Sequence, residues 1–425
     1  MNAVYRRIRS QAQALLLSNR RQGYDRRSRR TYRYTCPSPG RYRWQWFWDS
    51  CFHAIVLSHW DLEQAKAELV SLVSLQEGDG FIGHVLYWGP KRLLEPWAYL
   101  QSSPSLRPRH TRYIQPPVLA QAVKTVFQRS GDRAFLREMV PPLDRYYRWL
   151  ARERDPDGDG LISIISPYES GLDHKPAYDP LLGIRNPRPP SRTAVEWRYR
   201  LTDLVNLVLR FSARRAAQWG RFEVEDVLVN AIYAQGLYAV ADLHRALGES
   251  RAAEQWRAQA QRVEQAILTK CYDPSTEAYF DLAGRAEKPL RTLTITALFP
   301  LILPSIPPER VRRQVERHVK DPQAFWAPYP LPTVSMAEPS FAPDMDWLLW
   351  RGPTWMNTNW FLVKALRRHG YRDEADAITE KSVALVEREG FREFYNPLTG
   401  KGMGAHDFGW TTLVVDMVEG GEDGL

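Results

Sequence analysis

Apolar residues recur at spacings of three and four along most of this 425-residue chain, and runs alternating apolar with polar are scarce. In residues 61–75, Ala65, Leu69, Leu72 and Leu75 fall on one helical face. Comparable stretches cover residues 116–129, 133–153, 195–218, 224–247, 250–268, 308–319, 357–369 and 372–389. Turn signals such as Gly131-Asp132, Gly248-Glu249 and Gly370-Tyr371 separate them. An all-α protein of paired helices is expected, with roughly a dozen helices of ordinary length. Three intervening stretches, 78–115, 174–194 and 327–344, are long and rich in Pro, Gly and Tyr. Loops of that length in a compact helical domain often act as lids or binding loops. No repeat or low-complexity linker divides the chain, so residues 1–425 are expected to form a single domain.

Bulk composition narrows the function. Apolar residues make up 44%, enough to bury a sizeable core. No apolar run approaches the length of a membrane span, so no membrane partner is expected. The basic N-terminus, with its short apolar patch at residues 14–17, is too brief for a secretory signal. Three widely spaced cysteines (Cys36, Cys51, Cys271) form neither a zinc pattern nor a disulfide framework, which favours a cytoplasmic location. The formal charge is +9, with an arginine run at Arg20, Arg21, Arg26, Arg27, Arg29 and Arg30. That run is read as a solvated helix end and loop rather than a nucleic-acid site. A basic surface would also attract a small anionic substrate. The cations are 48 Arg against 10 Lys, a bias compatible with a GC-rich genome or a heat-adapted host.

Two distant segments place a carboxylate among aromatic and turn-forming residues: Tyr168-Glu169-Ser170-Gly171-Leu172-Asp173, and Glu393-Phe394-Tyr395-Asn396-Pro397 running on to Gly409-Trp410-Thr411. Paired carboxylates are the usual equipment for breaking a glycosidic bond. The chain also carries 16 Trp and 20 Tyr, flat rings with polar edges that suit sugar faces. Trp44, Gln45, Trp46, Phe47, Trp48 and Asp49 are the densest cluster, and Trp347, Trp350, Trp355 and Trp360 form a second. Alternating Trp in the first would line one side of a cleft; aromatic core packing is the competing reading. The turn at residues 399–404 lacks the Gly-Lys-Ser/Thr of a phosphate loop, so nucleotide binding is rejected. Asp155-Pro156-Asp157-Gly158-Asp159-Gly160 starts like an EF-hand loop, but its twelfth position is Ser166 rather than Glu. It is read as a turn, with weak calcium binding as the alternative. No paired histidines mark a metal motif, so neither metal nor cofactor is expected.

Four motifs in order carry a resemblance. Trp48-Asp49-Ser50, Glu169-Ser170-Gly171-Leu172-Asp173, Gly352-Pro353-Thr354-Trp355 through Asn359-Trp360, and Glu393 with Gly409-Trp410-Thr411 resemble glycoside hydrolase family 63 over about residues 40 to 415. The pattern is similar to that of trehalases, and most like the bacterial mannosylglycerate and glucosylglycerate hydrolases of the family. Two departures stand near the acid: Leu172 replaces a usual Trp or Met, and His174-Lys175-Pro176 replaces the usual Asn/Ser-Ser-Pro.

The resemblance implies an (α/α)6 barrel with long active-site loops and an active site at one mouth. It implies Asp173 as general acid and Glu393 as general base of an inverting reaction, their carboxyl groups roughly 6.5–9.5 Å apart to admit a water. Tyr42, Trp46, Trp48, Asp49, Gln115, Gly171, Trp355 and Trp360 would hold the sugar. The expected reaction is hydrolysis of 2-O-α-D-mannosyl-D-glycerate, and of the glucosyl analogue, to hexose and D-glycerate. The glycerate anion calls for a cation, with Arg188, Arg192 and Arg198 as candidates and Tyr87 beside them. A trehalase, an oligosaccharide α-glucosidase and a non-catalytic carbohydrate-binding protein are the alternatives. The sequence is compatible with a homo-oligomer.

Overall fold

In the computed structural model of the chain, residues 3–89, 94, 96–105, 108–184 and 190–420 are described. The protein is mostly helical, with short strands of two to six residues in small sheets of two or three strands. Helix starts follow local chemistry. Asp61 accepts from the Gln64 N–H at 3.0 Å to open Leu62–Ser74, and Asp132 accepts from Ala134 and Phe135 at 2.9 and 3.0 Å to open Arg133–Glu153. Asp226 does the same for Val227–Leu247, which Gly248 ends in the left-handed conformation at φ +86°.

Sequential helices pack in pairs: Phe47–Leu57 on Leu62–Ser74, Leu119–Ser130 on Arg133–Glu153, Val227–Leu247 on Ser250–Lys270, and Met356–Arg368 on Arg372–Glu389. The first members of these pairs also touch one another. Phe47–Leu57 packs on Leu119–Ser130, that helix on Val227–Leu247, and the latter on the 3₁₀ segment Ile295–Ile302. Ile295–Ile302 meets Met356–Arg368, which meets Leu413–Glu419, which returns to Phe47–Leu57. These elements share one large apolar core in which Val227–Leu247 is buried along most of its length.

Three local expectations need correction. The stretch 195–218 is two helices, Arg192–Val208 and Ala213–Trp219, because Arg210 and Phe211 between them take positive φ. The arginine run is an antiparallel hairpin, Arg20–Asp25 against Arg30–Thr35, rather than a helix end. Its strands show no clean alternation of buried and exposed residues, so no period-2 signal marked them. The third is the helix Phe47–Leu57, buried at every residue and so lacking the amphipathic period that reveals a helix.

Candidate active site

The strand pair Gln45–Trp46 with Val85–Leu86 leads directly into Phe47–Leu57, so Trp46, Trp48 and Asp49 converge around that helix's N-terminus. They line a cavity of about 350 Å³. The Trp48 N–H donates to Gln115 Oε1 at 3.1 Å, and Trp46 meets the Tyr42 ring edge-on at 5.5 Å. Tyr42, Gln115, Gly171, Asp173, Trp355 and Glu393 complete much of the wall. Residues from both carboxylate segments therefore share one cavity.

Asp173 reaches it from a tightly held loop. Glu169, four residues earlier, is no free acid: its carboxylate is clamped by both Arg154 nitrogens at 2.5 and 2.6 Å. It also accepts from the backbone N–H groups of Ile114 and Ile165 at 2.9 and 2.7 Å. Gly171 follows at φ +71°, and a Cβ there would stand 2.5 Å from a Trp48 ring carbon. Only glycine fits, in backbone and in space. Lys175, two residues beyond Asp173, is fully buried and ion-paired to Asp226 and to Asp281, the latter at 2.7 Å. Asp173 itself is half-buried and lines the cavity. Burial, then the charge of Glu393, pushes its carboxyl up to about 7.

Glu393 precedes the strand Phe394–Tyr395, which pairs with Gly402–Met403. It is 2% exposed. Tyr42 donates to its Oε1 at 2.9 Å, the Ala405 N–H donates to its Oε2 at 2.8 Å, and Arg41 Nη1 stands 3.6 Å from Oε2. Burial raises this carboxyl above the ordinary glutamate value, while Arg41, the Ala405 N–H and Tyr42 pull it back. Four groups favour the ionised form of Glu393, Arg392 included, whereas at Asp173 only its own backbone N–H does. Such unlike surroundings suit one carboxyl to donate a proton and the other to accept one.

Binding groups surround the pair. Asp49 is 3% exposed, held well above the usual carboxylate range by burial and then by Glu393 and Glu68. Its Oδ1 and the indole N–H groups of Trp44, Trp46 and Trp410 are buried without a hydrogen-bond partner among the described residues, and all four side chains line the cavity. Trp355 stacks on Trp350 at 3.7 Å and on Phe394 at 4.7 Å, its N–H given to Leu349 O at 3.0 Å. Pairing of Thr354 with Tyr395 sets this stack beside Glu393.

Several expected site residues lie elsewhere. Trp360 is core: it is fully buried and donates to Asp416 Oδ2 at 2.7 Å. It sits inside the helix Met356–Arg368, whereas Trp355 is the extended residue that precedes that helix, and it does not line the cavity. Tyr87 stands behind the wall, its ring edge-on to Trp44 at 5.4 Å. Arg192 is exposed and paired with Glu196 at 2.7 Å, and Arg198 lies beside Gly183; neither lines the cavity. Arg188 falls outside the described residues. The cationic side chains on the wall are instead Arg41 and Arg43, which sequence reasoning missed. No periodic signal marked them: Arg41 and Arg43 lie in an irregular segment ahead of the strand Gln45–Trp46, where consecutive side chains share the wall.

Residues 42–411 match the family described as the mannosylglycerate hydrolase MGH1-like glycoside hydrolase domain. The chain is 31% identical to mannosylglycerate hydrolase of Thermus thermophilus, over 90% of this chain and 95% of that protein. It is 28% identical to glucosylglycerate hydrolase of Mycolicibacterium hassiacum, over 90% and 93%. The crystal structure of a family 63 mannosylglycerate hydrolase from Thermus thermophilus with Tris and D-glycerate superposes with a TM-score of 0.83 at 30% identity, covering 97% of this chain and 99% of that one.

Proposed function

Because the chain belongs to the mannosylglycerate hydrolase MGH1-like glycoside hydrolase family and is a glycoside hydrolase, we propose that it cleaves 2-O-α-D-mannosyl-D-glycerate and its glucosyl analogue with inversion. The observation that carries this reading is that Asp173 and Glu393 line one cavity in unlike surroundings. Asp173 is pushed up to about 7, while Glu393 is raised by burial but pulled back by Tyr42, Ala405 and Arg41. Near neutral pH a large share of Asp173 is protonated, and it gives that proton to the glycosidic oxygen. Glu393, ionised, takes a proton from a water attacking the anomeric carbon on the opposite face. The glycosidic C–O bond breaks, the hexose leaves with inverted configuration, and glycerate leaves with the Asp173 proton.

The sugar is held by groups otherwise unsatisfied. Asp49 Oδ1 accepts from a hydroxyl, the indoles of Trp46 and Trp410 donate to others, and the Trp355 stack supports an apolar sugar face. Arg41 and Arg43 hold the glycerate carboxylate, as the arginines on the wall. The architecture we propose is a single-domain (α/α)6 barrel, supported by the closed order of neighbours among the inner helical elements and by one large core. The proposed site is cytoplasmic, in keeping with three buried free cysteines. No helix of the described residues is long and apolar enough to cross a membrane.

A hydrolysis panel of both glycerate glycosides, trehalose and a glucobiose tests the reading. Turnover confined to the glycerate glycosides supports it; turnover of the neutral disaccharides alone overturns it.

A further inference from the structure

A second group of carboxylates gathers where no residue lines the cavity. Asp157 and Asp159 come from the turn at residues 155–160, Glu225 from the strand Val224–Glu225, and Glu287 from the residue before Lys288–Pro289. The two strands belong to one three-stranded sheet, both flanking Leu282–Ala283. Asp155 accepts from the backbone N–H groups of Gly158 and Gly160 at 2.6 and 3.1 Å, which folds the turn against that sheet's acids. One oxygen from each of Asp157, Asp159, Glu225 and Glu287 lies within 4.8 Å of the others.

Lys270 answers part of this charge, bonding Asp159 and also Glu287 at 2.7 Å. Four carboxylates thus meet one ammonium. Glu225 is left over: it is 4% exposed, and its Oε2 is buried with no hydrogen-bond partner among the described residues. A buried carboxylate is normally paired, hydrogen-bonded or bound to a metal. A cation would supply the missing partner.

We propose that Asp157, Asp159, Glu225 and Glu287 bind a calcium ion, with Lys270 beside it. The donors are all carboxylate oxygens, with neither His nor Cys among them, which selects a hard cation. Ligands on opposite sides of calcium stand about 4.6–5.2 Å apart, and those of magnesium about 4.0–4.2 Å. Four oxygens all within 4.8 Å of one another leave room for calcium, and the EF-hand-like start of the turn favours it over magnesium. The turn supplies the acids of an EF-hand start, and the ligands that its twelfth position lacks come from the sheet. The ion would fasten the strand Val224–Glu225, whose next residue, Asp226, holds Lys175 near Asp173.

Isothermal titration of the EDTA-stripped full-length protein with calcium chloride, alongside thermal melts, tests this. Saturable 1:1 binding and a rise in Tm of about 2 °C or more are expected. Magnesium should be clearly weaker, and Glu225→Gln and Asp157→Asn should lose the calcium response while remaining folded. In EDTA, Glu225→Gln should melt at or above the unsubstituted protein, since it removes an unpaired buried acid. No saturable binding, an equal magnesium response, or unchanged calcium binding in both variants overturns the proposal.

Discussion

The Tyr42 hydroxyl donates to Glu393 Oε1 at 2.9 Å, joining the segment ahead of the first inner helix to the carboxylate at the far end of the chain. The bond favours ionised Glu393. Tyr42→Phe should raise the Glu393 pKa, because the hydrogen bond it removes favours the charged form. A base works only when ionised, so the acidic limb of the kcat/KM profile should move to higher pH. An unmoved acidic limb would separate Glu393 from the base role.

The alkaline limb belongs to Asp173. With its carboxyl pushed up to about 7, the fraction able to donate a proton falls as pH rises through that value. Asp173→Asn and Glu393→Gln should each lower kcat by about 10²–10⁴-fold. The same shift has a stability consequence. A carboxyl raised on folding destabilises the folded state as pH climbs from the unfolded value near 4 towards 7, because the unfolded chain gives up the proton first. The Tm of the unsubstituted protein should therefore fall across that window more steeply than that of Asp173→Asn.

Gly171→Ala tests the close approach of the acid loop to Trp48. A Cβ would meet the ring at 2.5 Å, and the backbone at φ +71° disfavours any side chain. Overpacking and backbone strain together should cost about 2–4 kcal/mol, read as a lower denaturation midpoint, with kcat reduced further than KM is raised. A midpoint equal to that of the unsubstituted protein would show that Trp48 gives way.

Much of this site was legible in the chain. Tyr42, Trp46, Trp48, Asp49, Gln115, Gly171 and Trp355 line the cavity with Asp173 and Glu393 because their motifs sit at helix starts and turns, where sequence dictates geometry. Trp360 misled because an indole in a family-like motif reads the same whether it faces a cavity or Asp416. The glycerate cations were sought at Arg188, Arg192 and Arg198, in or beside the loop at residues 174–194, whereas the cavity wall carries Arg41 and Arg43. Arg41 and Arg43 lie in an irregular segment ahead of the strand Gln45–Trp46, where tertiary packing rather than a local period sets which way a side chain faces. Phe47–Leu57 hid for a related reason: a helix buried all round has no periodic face to display.

Arg43→Gln should raise KM for the glycerate glycosides about tenfold or more with little change in kcat, and leave a neutral α-mannoside unaffected. Arg41→Gln should add a shift of the acidic limb to higher pH, because Arg41 stands 3.6 Å from Glu393 and favours its ionised form. Equal losses on charged and neutral substrates would remove these arginines from glycerate recognition.

Lys175→Met removes the cation between two buried aspartates. It should destabilise the protein by about 3–5 kcal/mol at neutral pH, since Asp226 and Asp281 are left facing each other. Lys175 lowers the Asp281 carboxyl, which burial still holds up at about 6. Without the lysine that value rises, so acidification from pH 7 to 5 should recover stability in the variant more than in the unsubstituted protein. A pH-independent deficit would point to lost packing alone.

The most direct measurement follows mannosylglycerate hydrolysis by proton NMR, recording the anomer released before mutarotation. Asp173 and Glu393 acting as acid and base across one water predict β-mannose first, its formation slowed by about 10²–10⁴-fold in Glu393→Gln. First appearance of α-mannose, or no hydrolysis of either glycerate glycoside, would contradict the account.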